Sequence, residues 1–132
     1  GVAYAEDNAE IDATTDAGES TIITASYSMD ALSVGFSQTD DDNAGNAAGA
    51  DIKTTYLGAT YAVSDAMTLG IQFVTAEDAA TSVTEDEEVT QFDIGYDLGG
   101  LMVYAYHSQA ENVGGTANKD ADGYGIKLHQ KF

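Results

Sequence analysis

The 132-residue chain has no cysteine, no proline, no tryptophan and no arginine. Without cysteine there are no disulfides, no thiolate metal sites and no thiol nucleophile. Only 4 lysines stand against 23 aspartates and glutamates, for a formal net charge of −19. Nucleic-acid binding needs a basic footprint, so that partner is excluded. No stretch approaches the roughly 18 consecutive apolar residues of a membrane-crossing helix. A membrane-crossing sheet stays open, because alternation dilutes the hydropathy of each strand. Catalytic patterns are missing too. There are 2 histidines, and no serine sits in a Gly-x-Ser-x-Gly elbow. Ser108 lies beside His107, and neighbours on a strand face opposite sides. Enzymatic function is not expected.

What is present is period-two alternation. Most of the acids gather within 6–19, 40–51 and 77–88, with others at Glu111 and Asp120. Between these stretches the chain reads as hairpins. Ile23, Ala25, Tyr27 and Met29 lead through Asp30-Ala31 into Leu32, Val34 and Phe36. Leu57, Ala59, Tyr61 and Val63 lead through Ser64-Asp65-Ala66 into Met67, Leu69, Ile71 and Phe73. Phe92, Ile94, Tyr96 and Leu98 lead through Gly99-Gly100-Leu101 into Met102, Tyr104 and Tyr106. Short turns with Gly, Asp or Ser are ordinary hairpin chemistry. The chain then ends on an alternating strand closed by Phe132.

The pattern predicts strands at 1–5, 20–29, 31–39, 51–63, 67–76, 88–98, 102–110 and 120–132, with short turns at one end and long acidic connections at the other. The expected fold class is all-β: an antiparallel up-and-down transmembrane β-barrel, about eight strands long in this chain, as a single unit over 1–132. Parity places Gln72, Gln91, Asp93, Asp97, His107, Lys127, His129 and Lys131 on the inward, pore-lining face. Tyr27, Tyr61 and Tyr96 share one offset from their turns. With Phe132 they are expected to form an outward aromatic rim near the short turns. The acidic runs Asp40-Asp41-Asp42 and Glu85-Asp86-Glu87-Glu88 are weak candidates for Ca²⁺ or Mg²⁺, without the spacing of an EF-hand loop. A solvated, self-repelling connection is preferred there, and no cofactor is expected.

Three segments resemble the C-terminal strands of general-diffusion porins of Gram-negative outer membranes, closest in style to the alphaproteobacterial, Rhodobacter-type group. They are the run from Leu57 to Gly70, the run from Ile94 to Leu101 and the closing run from Tyr124 to Phe132. The resemblance implies a 16-stranded homotrimeric barrel in the outer membrane, in contact with the lipid bilayer and lipopolysaccharide. It also implies a water-filled channel for small hydrophilic solutes and ions. Long connections would be extracellular; short turns and the C-terminus would be periplasmic. The chain carries about half that number of strands, so it is expected to be the C-terminal portion of a longer porin. Two alternatives stay open: a small complete eight-stranded barrel, structural or partner-binding through its acidic loops, and a soluble β-sandwich binding module.

Overall fold

Alternation with short turns should give a meander, and it does. The computed structural model describes residues 1–8, 19–42, 51–79 and 83–130. Lys131, Phe132 and the acidic stretches at 9–18 and 43–50 lie outside the described residues. Eight strands follow one another: β1 (Val2–Asn8), β2 (Glu19–Met29), β3 (Leu32–Asp42), β4 (Ile52–Ala62), β5 (Met67–Asp78), β6 (Glu87–Asp97), β7 (Leu101–Glu111) and β8 (Ala121–Gln130). They form one sheet in sequence order, every neighbour antiparallel.

The short turns are built from local chemistry. Met29 pairs with Leu32 across Asp30-Ala31, with Asp30 at a φ of 50°. Asp tolerates that left-handed conformation better than most residues. In the second turn the Ser64 hydroxyl accepts from the Ala66 and Met67 amides at 3.3 and 3.2 Å. In the third, Gly99 and Gly100 both take positive φ, and the Leu98 amide donates to the Leu101 carbonyl at 2.9 Å. The Asp97 carboxylate accepts from the Gly99 amide at 2.8 Å and from the Gly100 amide at 3.4 Å.

Several strands run further into the acidic stretches than alternation predicts. Asp40, Asp41 and Asp42 belong to β3, Glu77 and Asp78 to β5, and Glu87 to β6. β1 likewise reaches Asn8 rather than residue 5. A ladder needs only backbone groups, so it continues past the point where side chains stop being apolar.

The register fixes a tilt. The rung through Met29 and Leu32 continues to Tyr61, Leu69 and Ile94. Tyr61 is two residues short of its turn-closing partner Val63, and Ile94 is four short of Leu98. Each hairpin is therefore displaced by two residues from the last. At about 3.4 Å per residue and about 4.8 Å between strands, the turns come level when strands tilt by about 35°, the value barrels adopt.

Among the described residues no hydrophobic side chain is buried. One sheet without a second layer has no interior, which removes the β-sandwich alternative: a sandwich must cover its apolar face. The sheet is also open. No pairing joins β1 to β8 among the described residues. The edge shows in exposure: on β8 Ile126 and Leu128 are 73% and 67% exposed, against 39% and 41% for Ile94 and Leu69 inside the sheet. A complete eight-stranded barrel would close those two edges on each other.

Candidate functional site

Residues directly opposite in an antiparallel pair share a face, so the ladder sorts the whole sheet. One face carries Tyr27, Val34, Phe36, Leu57, Ala59, Ile71, Phe73, Phe92 and Ile94. Counted from each short turn, this apolar run gives way to Thr or Gln and then to charge. On β5 the sequence is Met67, Leu69, Ile71, Phe73, then Thr75, then Glu77; on β6 it is Leu98, Tyr96, Ile94, Phe92, then Thr90, then Glu88. At about 3.4 Å per residue and the tilt above, the span from Met67 to Thr75 rises about 22 Å, close to the apolar band of a transmembrane barrel.

The charged ends of this face are wet. Lys53 lies between Asp40 and Glu77 in the ladder, with its ammonium 3.5 Å from Glu77. Glu19 faces Asp42, and Glu88 faces Glu111. Like charges directly opposite are tolerated where water screens them. Past the apolar band, the neighbouring Asp51 carboxylate, with desolvation and Asp40 adding, holds the Asp42 carboxyl above its ordinary range.

The acidic runs do not converge as metal sites. Asp40 and Asp42 fall on one face and Asp41 on the other; Glu88 and Glu87 divide likewise. Among the described residues no group of three or more His, Asp or Glu side chains is placed to hold a metal ion. Glu87 has structural work: its carboxylate accepts from the Gly114 amide at 2.7 Å. Around it the connection after β7 docks on the connection before β6. The Thr84 amide donates to the Gly115 carbonyl at 3.0 Å, the Ala117 amide to the Thr84 hydroxyl at 3.3 Å, and the Asn112 side chain to the Asp86 carbonyl at 3.1 Å.

The opposite face is mostly small and polar on β2 to β4: Thr24, Ser26, Ser28, Ser33, Gly35, Ser37, Gly58 and Thr60. Ile22, Ile52, Val74 and Val89 are apolar exceptions and Tyr56, opposite Ser37 and Val74, is an aromatic one, all toward the long connections. A shallow hollow of about 300 Å³ lies between Ser33, Gly35, Gly58, Thr60, Gln72 and Asp93. From β5 onward the face becomes furnished. Gln72 pairs with Gln91, Asp93 with Tyr106, Tyr104 with Lys127, and Met102 with both Asp97 and His129. Gln72, Gln91, Asp93, Asp97, Lys127 and His129 thus share one face.

His107 does not join them, which corrects its expected placement. It pairs with Phe92 and Tyr124 on the apolar face, and its Nε2 lies 3.9 Å from the Asp122 carboxylate. The reason is the length of the third turn. Leu101 closes that turn as a paired residue, so Leu101, Val103 and Ala105 take the apolar face, and Met102, Tyr104 and Tyr106 take the polar one. A one-residue shift exchanges the faces of a whole strand. Tyr104 and Tyr106 are therefore the residues of this face that alternation missed. Glycines opposite them were the available signal: a Cβ on Gly95 would meet the Tyr104 ring at 3.0 Å, and one on Gly125 would meet Tyr106 at 2.6 Å.

One sheet, apolar on one face over a membrane-sized band and polar on the other, has few homes in water. The sequence matches the family described as Gram-negative porin over residues 1–132. The chain belongs to the Gram-negative porin family. No curated protein and no solved structure matches it. Membership places this porin in the outer membrane, as a transport protein of the β-barrel kind, and its eight-stranded meander is the wall such a barrel is made from. The three tyrosines of the expected rim, Tyr27, Tyr61 and Tyr96, lie on the apolar face, each one outward step from the residue that closes its turn.

Proposed function

We propose that this chain forms part of the wall of a water-filled channel for passive diffusion of small hydrophilic solutes and ions. The carrying observation is the division of the sheet: an apolar face whose three or four outward residues next to each short turn give way to polar and then charged ones, and a mostly polar face with no cover. In this reading the apolar face meets lipid. The polar face, with Gln72, Gln91, Asp93, Asp97, Lys127 and His129, meets the lumen, where such groups set the field felt by solutes. Lys131 follows by parity. Tyr27, Tyr61, Tyr96 and Phe132 sit at the periplasmic interface, and the long connections are extracellular.

The free edges of β1 and β8 support a larger barrel. Backbone groups facing lipid must be paired, so further strands are needed on both sides. That favours the C-terminal portion of a 16-stranded, trimeric porin of the alphaproteobacterial type. The role is passive and needs no resident cofactor. Divalent ions at the outer carboxylates would bridge to lipopolysaccharide.

Two measurements test the reading. The porin purified from outer membranes and placed in a planar bilayer should give stepwise KCl conductance; a preparation that inserts without conducting refutes the channel. The intact mass of that polypeptide should be well above 13.7 kDa, the mass of these 132 residues; a native mass equal to it refutes the larger barrel.

A further inference from the structure

On the polar face, large side chains lie sideways over glycines of the next strand. Asp93 of β6 covers Gly70 of β5, Tyr104 of β7 covers Gly95 of β6, and Tyr106 of β7 covers Gly125 of β8. The consequence for Asp93 is that its carboxylate leans away from β7 and β8. The consequence for the two tyrosines is that their rings lie along the wall. Lys127 stands directly opposite Tyr104, with its ammonium 6.0 Å from the centre of the Tyr106 ring. Lys127 is exposed and has no carboxylate within ion-pair reach among the described residues. Besides His129, it is the sole basic side chain on this face among the described residues; Lys53 is on the other face and Lys119 lies in the connection after β7.

We propose that Tyr104, Tyr106 and Lys127 form a wall subsite for small aromatic carboxylates. This rests on the polar face lining the channel. An unpaired ammonium supplies an anchor for a carboxylate. The Tyr106 ring, held flat beside it, supplies a surface on which a planar ring stacks at an offset, and the Tyr104 ring over Gly95 extends that surface toward β6. His129, opposite Met102 and one outward step further along β8, lies on the same side and adds positive charge when protonated. The Tyr104 hydroxyl donates to the Met102 sulfur at 3.3 Å, which fixes that ring in place. Neither feature alone selects this class: an ammonium takes any anion, and a ring takes any flat apolar surface. Together they favour a solute that has both.

The test is the KCl current of the native porin in planar bilayers, with sodium benzoate, sodium acetate or benzyl alcohol added. Benzoate should interrupt the current at concentrations where acetate and benzyl alcohol do not. Lys127→Gln should weaken the benzoate effect by roughly threefold or more, the scale of losing an exposed ion pair. Tyr106→Leu should weaken it similarly while leaving any acetate effect unchanged. Gly125→Val, which must displace the Tyr106 ring, should resemble Tyr106→Leu. Equal interruption by benzoate and acetate, or benzoate interruption unchanged in Lys127→Gln, overturns the subsite while the KCl current leaves the channel standing. Loss of the KCl current in the unmodified porin overturns the channel itself and the subsite with it.

Discussion

Ile71 and Gln72 are neighbours on β5 that face opposite ways, and arginine at each would report which face meets lipid. Ile71 sits midway along the outward run from Met67 to Thr75. On the geometry above it lies about 11 Å from either end of the apolar band, near the bilayer midplane. Arginine on the lipid face at that depth costs about 2–4 kcal/mol, against about 0–1 kcal/mol near an interface. Gln72 pairs with Gly58 and Gln91, both on the polar face, so a long cation there keeps its water. Ile71→Arg should therefore lose about 3 kcal/mol, and Gln72→Arg less than about 1 kcal/mol. The assay is urea titration of the porin folded into phosphatidylcholine vesicles, followed by tyrosine fluorescence. With slopes of about 1–3 kcal/mol per molar urea, Ile71→Arg should move the midpoint down by about 1 M or more. A Gln72→Arg penalty equal to or above that of Ile71→Arg would refute the assignment of faces across the sheet, because β5 is in register with both its neighbours.

Four further outcomes follow from particular residues. His107 lies as far from its turn as Phe92, Leu57 and Phe73 do from theirs, so His107→Leu should stabilise the porin in vesicles by roughly 1 kcal/mol; destabilisation would mean that His107 faces water. Gly115→Val would collide with Val83, which a Cβ at Gly115 already meets at 2.5 Å, and should speed amide exchange at Thr84 and Ala117; unchanged exchange would show that the two connections do not dock. Protease added to intact cells should nick within 9–18 or 43–50 before the turns at Asp30, Asp65 or Gly99, and the reverse order would invert the topology. Under a KCl gradient the reversal potential should show mild cation preference, strongest at low salt, since the acids crowd one mouth and their field fades over about 8 Å at physiological ionic strength; anion preference persisting at low salt refutes control by those acids.

The meander was legible because two signals agreed. Alternation gave each strand its period, and Asp30-Ala31, Ser64-Asp65-Ala66 and Gly99-Gly100 marked the short turns. Strand ends were less legible, because Asp40 to Asp42, Glu77, Asp78 and Glu87 read as connection by charge yet continue the ladder through backbone bonds. The furnished part of the polar face was half legible. Gln72, Gln91, Asp93 and Lys127 follow from parity. β7 failed because both of its alternations are apolar: Leu101, Val103 and Ala105 on one side, Met102, Tyr104 and Tyr106 on the other. Hydropathy cannot choose between such sets. A hydrogen bond from Leu98 to Leu101, held by the Asp97 side chain capping the Gly99 and Gly100 amides, makes the choice.

The glycines show how one strand serves two surroundings. Glycine weakens a strand interior, having no side chain to pack and more backbone freedom to lose. On the apolar face it would also thin the band, and each glycine of the strands described, Gly35, Gly58, Gly70, Gly95, Gly123 and Gly125, falls on the polar face. Four of them are covered from the next strand, by Asp93, Tyr104, Ser108 and Tyr106. Large groups thereby lie along the wall instead of projecting from it, which keeps a channel wide while placing charge and aromatic surface where a solute would pass. Gly35 and Gly58, opposite each other, have no side chain over them within 4 Å, and they floor the hollow beside Gln72. The polar face is thus divided: bare around Gly35 and Gly58 on β3 and β4, with Tyr56 nearer the long connections, and furnished with aromatic rings and charges of both signs from β6 to β8. A solute in the channel would meet Asp93, Asp97, Lys127 and His129 on β6 to β8, and selectivity should be lost by changes there sooner than by changes on β2 and β3.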